Sequence, residues 1–485
     1  MTSYLDSISS GRLAQEGLLT AEAQKTAADL LAQLDDGKVE TVRVVFADQH
    51  GLLRGKTVTV SALGSIFRSG MNLPSTLLLK DTSNRTVFPI WDGKSSGVME
   101  TMAGAGDMLA VPDPDTFRVL PWSPHSAWLF CDPYARDGTP LPFAPRPTLR
   151  RVVSLLADEG CELTVGLEVE FHVFARTDDA TAHHQAGMPG QPPATALLDQ
   201  GYQYLADMNY DRLEPVMDLL RRHAQALGLP VRSTEVEMGP SQFEFTFEPA
   251  DALTHADNMI MFRTMVKEVC AREGMHATFM CRPKVEHSAS SGWHLHQSLC
   301  DASGANLFIP PAPGELSKHA GHWIAGLLAH ASESCLLTTP TVNGYKRYQP
   351  FQLAPDRIEW GYDNRGAMVR ALMSPGDKAS RVENRVAEPA ANPYFYFASQ
   401  ILSGLSGLKQ ELTAPEPVEN PYDNDAHALP PSLIAAIEAF ETGTLFRNTL
   451  GADFADYMSV LKRAEWKRYL SIVTEWEQQE YFGIF

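Results

Sequence analysis

Gly166-Leu-Glu-Val-Glu-Phe171 is the stretch on which the reading of this chain turns. Apolar, strand-favouring residues surround two carboxylates that stand two positions apart. Side chains alternate along a strand, so Glu168 and Glu170 project from the same face. Like charges that close repel, and ionised carboxylates are seldom buried without a partner. A proton, an arginine or a metal ion relieves such a pair. Open solvent does so as well, and the pair alone fits a solvated strand face equally. The choice depends on what the rest of the chain supplies.

Segments downstream bear on that choice. In Glu235-Val-Glu-Met-Gly-Pro-Ser-Gln-Phe-Glu-Phe245, Glu237 and Glu244 flank a Gly-Pro turn, so both can return to one place. Trp293-His-Leu-His-Gln-Ser-Leu299 reads as a strand with His294, His296 and Ser298 on one face and Trp293, Leu295 and Leu299 behind. Basic segments follow: Tyr345-Lys-Arg-Tyr348, Asp363-Asn-Arg-Gly-Ala-Met-Val-Arg370 and Lys378-Ala-Ser-Arg-Val-Glu-Asn-Arg385. In the last of these Arg381, Glu383 and Arg385 share a face. Four glutamates with a histidine, interleaved with five arginines, exceed what a packed core needs. Carboxylate oxygens with an imidazole suit Mg²⁺ or Mn²⁺. Arginines beside a divalent metal are what phosphoryl transfer uses, because the charge of the transferring group must be neutralised. The chain has no Gly-x-x-x-x-Gly-Lys-Ser/Thr loop and no protein-kinase signature. The pattern therefore predicts a metal–ATP site in which metals and basic side chains hold the nucleotide.

Composition sets the frame. A chain of 485 residues, 44% hydrophobic and 20% charged, has the make-up of a large globular protein of two domains. A net charge of −19 argues against nucleic acid or an anionic membrane as partner. Met1 to Gly11 lacks a basic-then-apolar leader pattern, and no apolar run of spanning length occurs, so a cytoplasmic protein is expected. Cysteines 131, 161, 270, 281, 300 and 335 form no Cys-x-x-Cys pair and read as buried free thiols.

Local patterns predict a helix over 20–36 opened by Thr20, and a hairpin of Thr41–Ala47 and Leu52–Val60 around Asp48-Gln-His-Gly51. Ser95-Ser-Gly97 reads as a loop, and the prolines at 140, 142, 145 and 147 as a domain boundary. A helix with Leu149, Val152 and Leu156 on one stripe should follow. Asp211, with Glu214 three positions on, reads as the cap of a helix running to Gly228. His183-His184 sits in a loop with no matching pair nearby. Residues 455–480 read as helical, and the apolar Tyr481–Phe485 end as a segment that docks on its own subunit or a neighbour.

The order Glu-x-Glu, Glu…Gln-x-Glu, His-x-His, Lys-Arg, Asn-Arg…Arg and Arg-x-Glu-x-Arg, followed by Pro389-Ala-Ala-Asn-Pro393, resembles the glutamine synthetase family over nearly the whole chain. Arg54-Gly-Lys56, Val111-Pro-Asp-Pro114 and Leu120-Pro-Trp122 extend the resemblance towards the N-terminus. Within the family the chain is similar to the γ-glutamyl–amine ligases of the γ-glutamylpolyamine and γ-glutamylanilide type. The resemblance implies an α+β fold: an N-terminal helical segment at 1–37, a β-grasp domain at 38–140 and an antiparallel β-sheet and helix catalytic domain at 141–485. It implies ATP and Mg²⁺ (or Mn²⁺) as cofactors. It also implies glutamate and an amine as substrates, and a homo-oligomer, in this family usually a dodecamer, with active sites between subunits.

Residue by residue, the resemblance assigns one metal to Glu170, Glu237 and Glu244, and a second to Glu168, His294 and Glu383. His296, Ser298, Arg370, Lys378 and Arg381 fall where the family contacts nucleotide, and Arg365 where it stabilises the γ-phosphate. Arg347 and Arg385 fall where guanidinium groups clamp the glutamate carboxylates, with Gly292 in the same pocket. The departures are informative. Members that use ammonia carry a glutamate where this chain has Leu353, and an N-terminal aspartate where it has Met71-Asn-Leu-Pro-Ser-Thr-Leu77. Ala289-Ser-Ser-Gly292 replaces the family's Asn-Gly-Ser-Gly, and Ser241 replaces a glycine. The expectation is a ligase that joins the γ-carboxylate of glutamate to a hydrophobic or aromatic amine through γ-glutamyl phosphate. Alternatives are a polyamine or alkylamine ligase, a true glutamine synthetase, and an inactive scaffold or regulator.

Overall fold

The computed structural model describes residues 3–91, 102–178, 180–422 and 425–485, and the Ser95–Gly97 loop lies outside them. Two sheets organise the α+β chain. The first is built from β1 (Thr41–Ala47), β2 (Leu53–Thr59), β3 (Met71–Pro74), β4 (Asp107–Pro112), β5 (Arg118–Leu120) and β6 (Ser123–Tyr134). Its order is β2-β1-β6-β4-β3, with β5 on β6. The β1–β2 hairpin forms as its alternation predicts, and β1 runs parallel to β6. That parallel pair beside an antiparallel hairpin is the grasp-like feature of the sheet.

The second sheet comprises β7 (Cys161–Arg176), β8 (Thr195–Ala196), β9 (Val231–Val236), β10 (Gln242–Asp251), β11 (Met275–Thr278), β12 (Trp293–Asp301), β13 (Trp360–Tyr362), β14 (Val369–Leu372) and β15 (Arg381–Asn384). The order is β13-β14-β15-β12-β7-β10-β9, with β8 and β11 also on β7. Every pair is antiparallel except β13–β14.

Alternation gives this sheet two unlike faces. Leu167, Val169, Phe171, Phe243, Phe245, Phe247, Trp293 and Leu295 are buried on one side. The helix Ala252–Arg272 covers part of it, and Phe262 packs on Phe171, Phe245 and Phe247 with centroids 5.1–5.7 Å apart. Each such side chain contributes about 1.5–3 kcal/mol on burial. The helices Lys318–Ala329 and Pro393–Lys409 also back the sheet. They approach so closely that a Cβ at Gly326 would strike the Ser403 carbonyl. Gln297, Trp323, Asn384 and Gln400 join in a buried hydrogen-bond chain that ties β12 and β15 to those helices.

Several local expectations are corrected. The helix after the 200s loop is Asp207–Ala226, so Asp211 lies inside it rather than capping it, and Pro215 sits in its interior. Residues 455–480 form two helices, Ala452–Leu470 and Glu475–Tyr481, because Thr474 and Glu477 close a capping box that starts a new helix. Cys161 and Cys300 are partly exposed, while the other four thiols are buried. Phe482 and Phe485 are exposed, so the apolar end does not dock on its own chain.

Of the proline cluster, Pro145 and Pro147 lie in the first turn of the helix Pro145–Ala157. Between them Arg146 is buried and bonds Asp257 at 2.9 Å, Asp113 at 2.8 Å and Asp132 at 3.4 Å. Tyr394 donates to the same Asp257 at 2.7 Å. Arg146 thus ties the first sheet to the helices behind the second. Arg146→Met, which strands buried carboxylates, should lower stability to guanidinium by about 3–5 kcal/mol. Arg12→Ala, which removes an exposed pair with Glu16, should cost less than about 1 kcal/mol. Equal shifts in the two denaturation midpoints would contradict this account.

Candidate active site

Register assembles the site. Across β7, Glu170 faces Glu244 of β10 and Glu168 faces His294 of β12. Glu383 of β15 faces His296 of β12 on one side and Arg370 of β14 on the other. All therefore project from the face opposite the phenylalanine core. The Glu-x-Glu and His-x-His spacings work because both segments are strands and the pairing is antiparallel.

Glu170, Glu237 and Glu244 bring one carboxylate oxygen each within 4.8 Å of the others. All three are mostly buried, and none has an arginine or lysine within ion-pair distance among the described residues. Burial, then repulsion from Glu237, pushes the Glu170 carboxyl up to about 8. Burial, then Glu170 and Glu237, raises Glu244 well above the carboxylate range, and burial raises Glu237. Three carboxylates in this state take up protons or share a cation. An all-oxygen donor set of this size fits a hard divalent ion such as Mg²⁺ or Mn²⁺.

Supporting contacts hold the triad. Gln242 Nε2 donates to Glu170 at 3.0 Å and to Ser291 Oγ at 3.1 Å, and Ser291 reaches His172 Nδ1 at 3.3 Å. Gln242 Oε1 accepts from Gly239 N at 2.7 Å, which fixes the Gly-Pro turn between Glu237 and Glu244. Gly292 must lack a side chain, since a Cβ there would lie 2.6 Å from Arg347 Nη2 and 2.9 Å from His294 Nε2.

A second group lies beside the first. His294 Nδ1 is 3.1 Å from Glu168 and 3.5 Å from Glu383. His296 Nε2 is 2.8 Å from Glu168. Two further sets of ligand atoms fall within 4.8 Å: Glu168, His296 and Glu383, and Glu168, Glu244 and His294. His296, expected at the nucleotide, thus stands equally near the second metal group. Burial, then Arg385, lowers His294 to about 4, which leaves its imidazole neutral at pH 7 and able to donate a lone pair. Burial opposes ionisation of Glu383, but Arg385 and the histidines outweigh it and bring it down to about 2. Glu168 is lowered too, because hydrogen bonds from His294 and His296 overcome its burial.

The basic residues divide by position. Arg347 is buried, donates to the Arg385 and Val386 carbonyls at 2.8 and 3.2 Å, and comes within 3.5 Å of His294. Arg385 pairs with Glu383 and donates to the carbonyls of Arg365 and Leu353 at 3.0 and 3.3 Å. A cavity of about 860 Å³ opens on the other side, lined by Glu168, His296, Ser298, Lys378 and Arg381, with Phe247 and Ile309 as apolar walls. Ser298 Oγ is already bonded to the Ser380 carbonyl at 3.0 Å. Arg370 does not line this cavity; it is held between Asp363 and Glu383. Arg365 and Leu353, whose carbonyls Arg385 holds, have exposed side chains and do not line this cavity. His183 and His184 are exposed and belong to none of the clusters.

Sequence reading missed Asp363 as the partner of Arg370, and the Gln242–Ser291–His172 relay. It also missed Tyr204, whose hydroxyl is pushed up to about 12 by burial and then by Glu237 and Glu244. A Gln two positions before Glu244 was a signal for the relay. Nothing in the local pattern marked Tyr204 or Asp363.

A carboxyl whose pKa is raised by folding keeps its proton where the unfolded chain has lost it. Folding of the metal-free chain therefore weakens as pH climbs from 4.5 towards about 8. A divalent cation should reverse that loss. Scanning calorimetry in EDTA should show the melting temperature falling between about pH 5.5 and about pH 8. Mg²⁺ or Mn²⁺ should restore several degrees at the upper end and little at the lower. Equal gains at both ends would contradict a cation site on these carboxylates.

The model of the glutamine synthetase catalytic domain matches residues 142–481. A γ-glutamylanilide synthase from Acinetobacter sp is 40% identical, covering 96% of this chain and 97% of that protein. A γ-glutamylethanolamide synthetase from Streptomyces coelicolor is 33% identical, covering 94% and 95%. Among solved structures, ligand-free GmaS superposes with a TM-score of 0.79 at 29% identity, over 94% of this chain and 99% of that one. With the acidic sheet face, the shared fold and a family match across most of its length, the chain belongs to the glutamine synthetase family.

Proposed function

We propose that the chain is an ATP-dependent ligase that joins the γ-carboxylate of glutamate to an organic amine. The observation that carries this reading is the coexistence of an intact acidic face with Leu353 at the position of the ammonia-binding acid. Its relatives at 40% and 33% identity are named as γ-glutamylanilide and γ-glutamylethanolamide synthetases.

The reaction balances in two steps. A γ-carboxylate oxygen of glutamate bonds the γ-phosphorus of ATP as the bond to ADP breaks, giving γ-glutamyl phosphate. The amine nitrogen then bonds the acyl carbon as phosphate leaves, and the nitrogen sheds a proton. Carboxylate becomes an acceptor only once its leaving oxygen is phosphate. Divalent metals, when bound by Glu170, Glu237 and Glu244 and by Glu168, His294 and Glu383, supply the positive charge that phosphoryl transfer needs.

The chain's own groups position and neutralise. Arg347 and Arg385, buried beside the acids, suit the carboxylates of glutamate, and the exposed Arg365 next to Arg385 suits the transferring phosphoryl group. His296, Ser298, Lys378 and Arg381 line the cavity for the nucleotide, and Arg370 acts on it indirectly through Glu383. An arylamine is neutral at physiological pH and attacks without a base, which fits the loss of the ammonia-binding acid. The exposed apolar end at Phe482 and Phe485 supports assembly with further subunits, and twelve is the number expected for the family.

ADP release should be measured with glutamate and a panel of ammonium, putrescine, isopropylamine, ethanolamine and aniline. Organic amines should outrun ammonium, with aniline favoured; turnover with ammonium alone would overturn the acceptor assignment. Glu383→Ala should lower kcat by at least about 100-fold, and full retained activity would overturn the metal assignment. Gly292→Ala should raise the KM for glutamate by at least about tenfold through displacement of Arg347, and an unchanged KM would remove Gly292 from the pocket.

A further inference from the structure

We infer that Phe351 and Tyr422 form an aromatic wall beside Arg385 that selects amines carried on a planar ring. The inference rests on the ligase reading above and specifies its second substrate.

The two rings meet with centroids 4.9 Å apart at 46°. Tyr422 lies against the backbone of Gly366, where an added Cβ would be 3.2 Å from ring atoms Cε2 and Cζ. Gly366 follows Arg365, whose carbonyl accepts from Arg385 Nε at 3.0 Å. On the other flank the Leu353 carbonyl accepts from Arg385 Nη2 at 3.3 Å. One guanidinium thus ties the Leu353 loop and the Gly366 backbone together. It also holds Glu383 of the acidic face. The aromatic wall stands over this junction, where an acyl group held by Arg385 would meet an incoming nitrogen.

The loop presents its apolar side chains outward by an unusual backbone. Phe351 and Leu353 have φ of 61° and 52°, a left-handed region that residues with a Cβ seldom occupy. Phe351 is left 77% exposed and Leu353 55% exposed. Two large apolar side chains held outward in this way on a loop bonded to Arg385 fit a ligand that covers them. Tyr422 is half-buried. A flat ring can stack on the Phe351–Tyr422 edge, whereas an alkyl chain gains only area there.

The test is the ratio of kcat/KM for aniline to that for cyclohexylamine, two amines of similar size that differ in planarity. Phe351→Leu and Tyr422→Leu should each lower the ratio about 3- to 10-fold, mostly through KM for aniline, and Tyr422→Phe should restore it. An unchanged ratio, or an equal fall for both amines, overturns the inference while leaving the ligase reading in place. So does wild-type turnover of hydroxylamine with none of aniline. Wild-type protein that turns over no amine, hydroxylamine included, overturns both.

Discussion

Carboxylates crowded onto one face of a sheet and withdrawn from water are the constraint on which this protein is built. Glu170, Glu237 and Glu244 each bring a carboxylate oxygen within 4.8 Å of the others, and among the described residues no arginine or lysine stands within ion-pair distance of them. Placing charge there is costly, and the raised Glu170 and Glu244 carboxyls record that cost. The neighbouring group solves the same problem differently, since Glu383 sits between Arg370 and Arg385. One half of the face thus has no arginine or lysine paired to its acids among the described residues and the other half does, which suits a cation bound next to an anionic substrate.

The opposite face keeps the acids in place. Phenylalanines on β7 and β10, packed on Phe262, resist any slip in register, because a shift by one residue would bring glutamates into the core. The buried Gln297–Trp323–Gln400–Asn384 chain does the same for β12 and β15. The site is buried and hydrogen-bonded where metal and phosphate chemistry demands it. It is more open at the Leu353 loop, where the amine specificity of a ligase would be set.

Much of this was legible in the sequence because strands repeat every two residues. Spacing put Glu168 with Glu170, His294 with His296, and Glu383 with Arg381 and Arg385 on one face of each strand; the resemblance grouped them, and the register shows how they meet. Features made by distant segments were not legible. Phe351 meets Tyr422, and Arg146 meets Asp257, only after the chain has folded. Where local signals competed, the tertiary context won. Asp211 and Glu214 have the look of a cap, yet the helix begins at Asp207 and accommodates Pro215. The prolines around Arg146 gave no sign that it is a buried joint.

The central claim is that the buried acids are organised by divalent cations. The most direct measurement is anomalous diffraction from crystals of the full chain soaked in Mn²⁺. The account predicts one peak enclosed by Glu170, Glu237 and Glu244, and another beside Glu168, His294 and Glu383. Ordered Mn²⁺ only elsewhere on the molecule, or an acidic face that stays empty at saturating Mn²⁺ above pH 8, would contradict it.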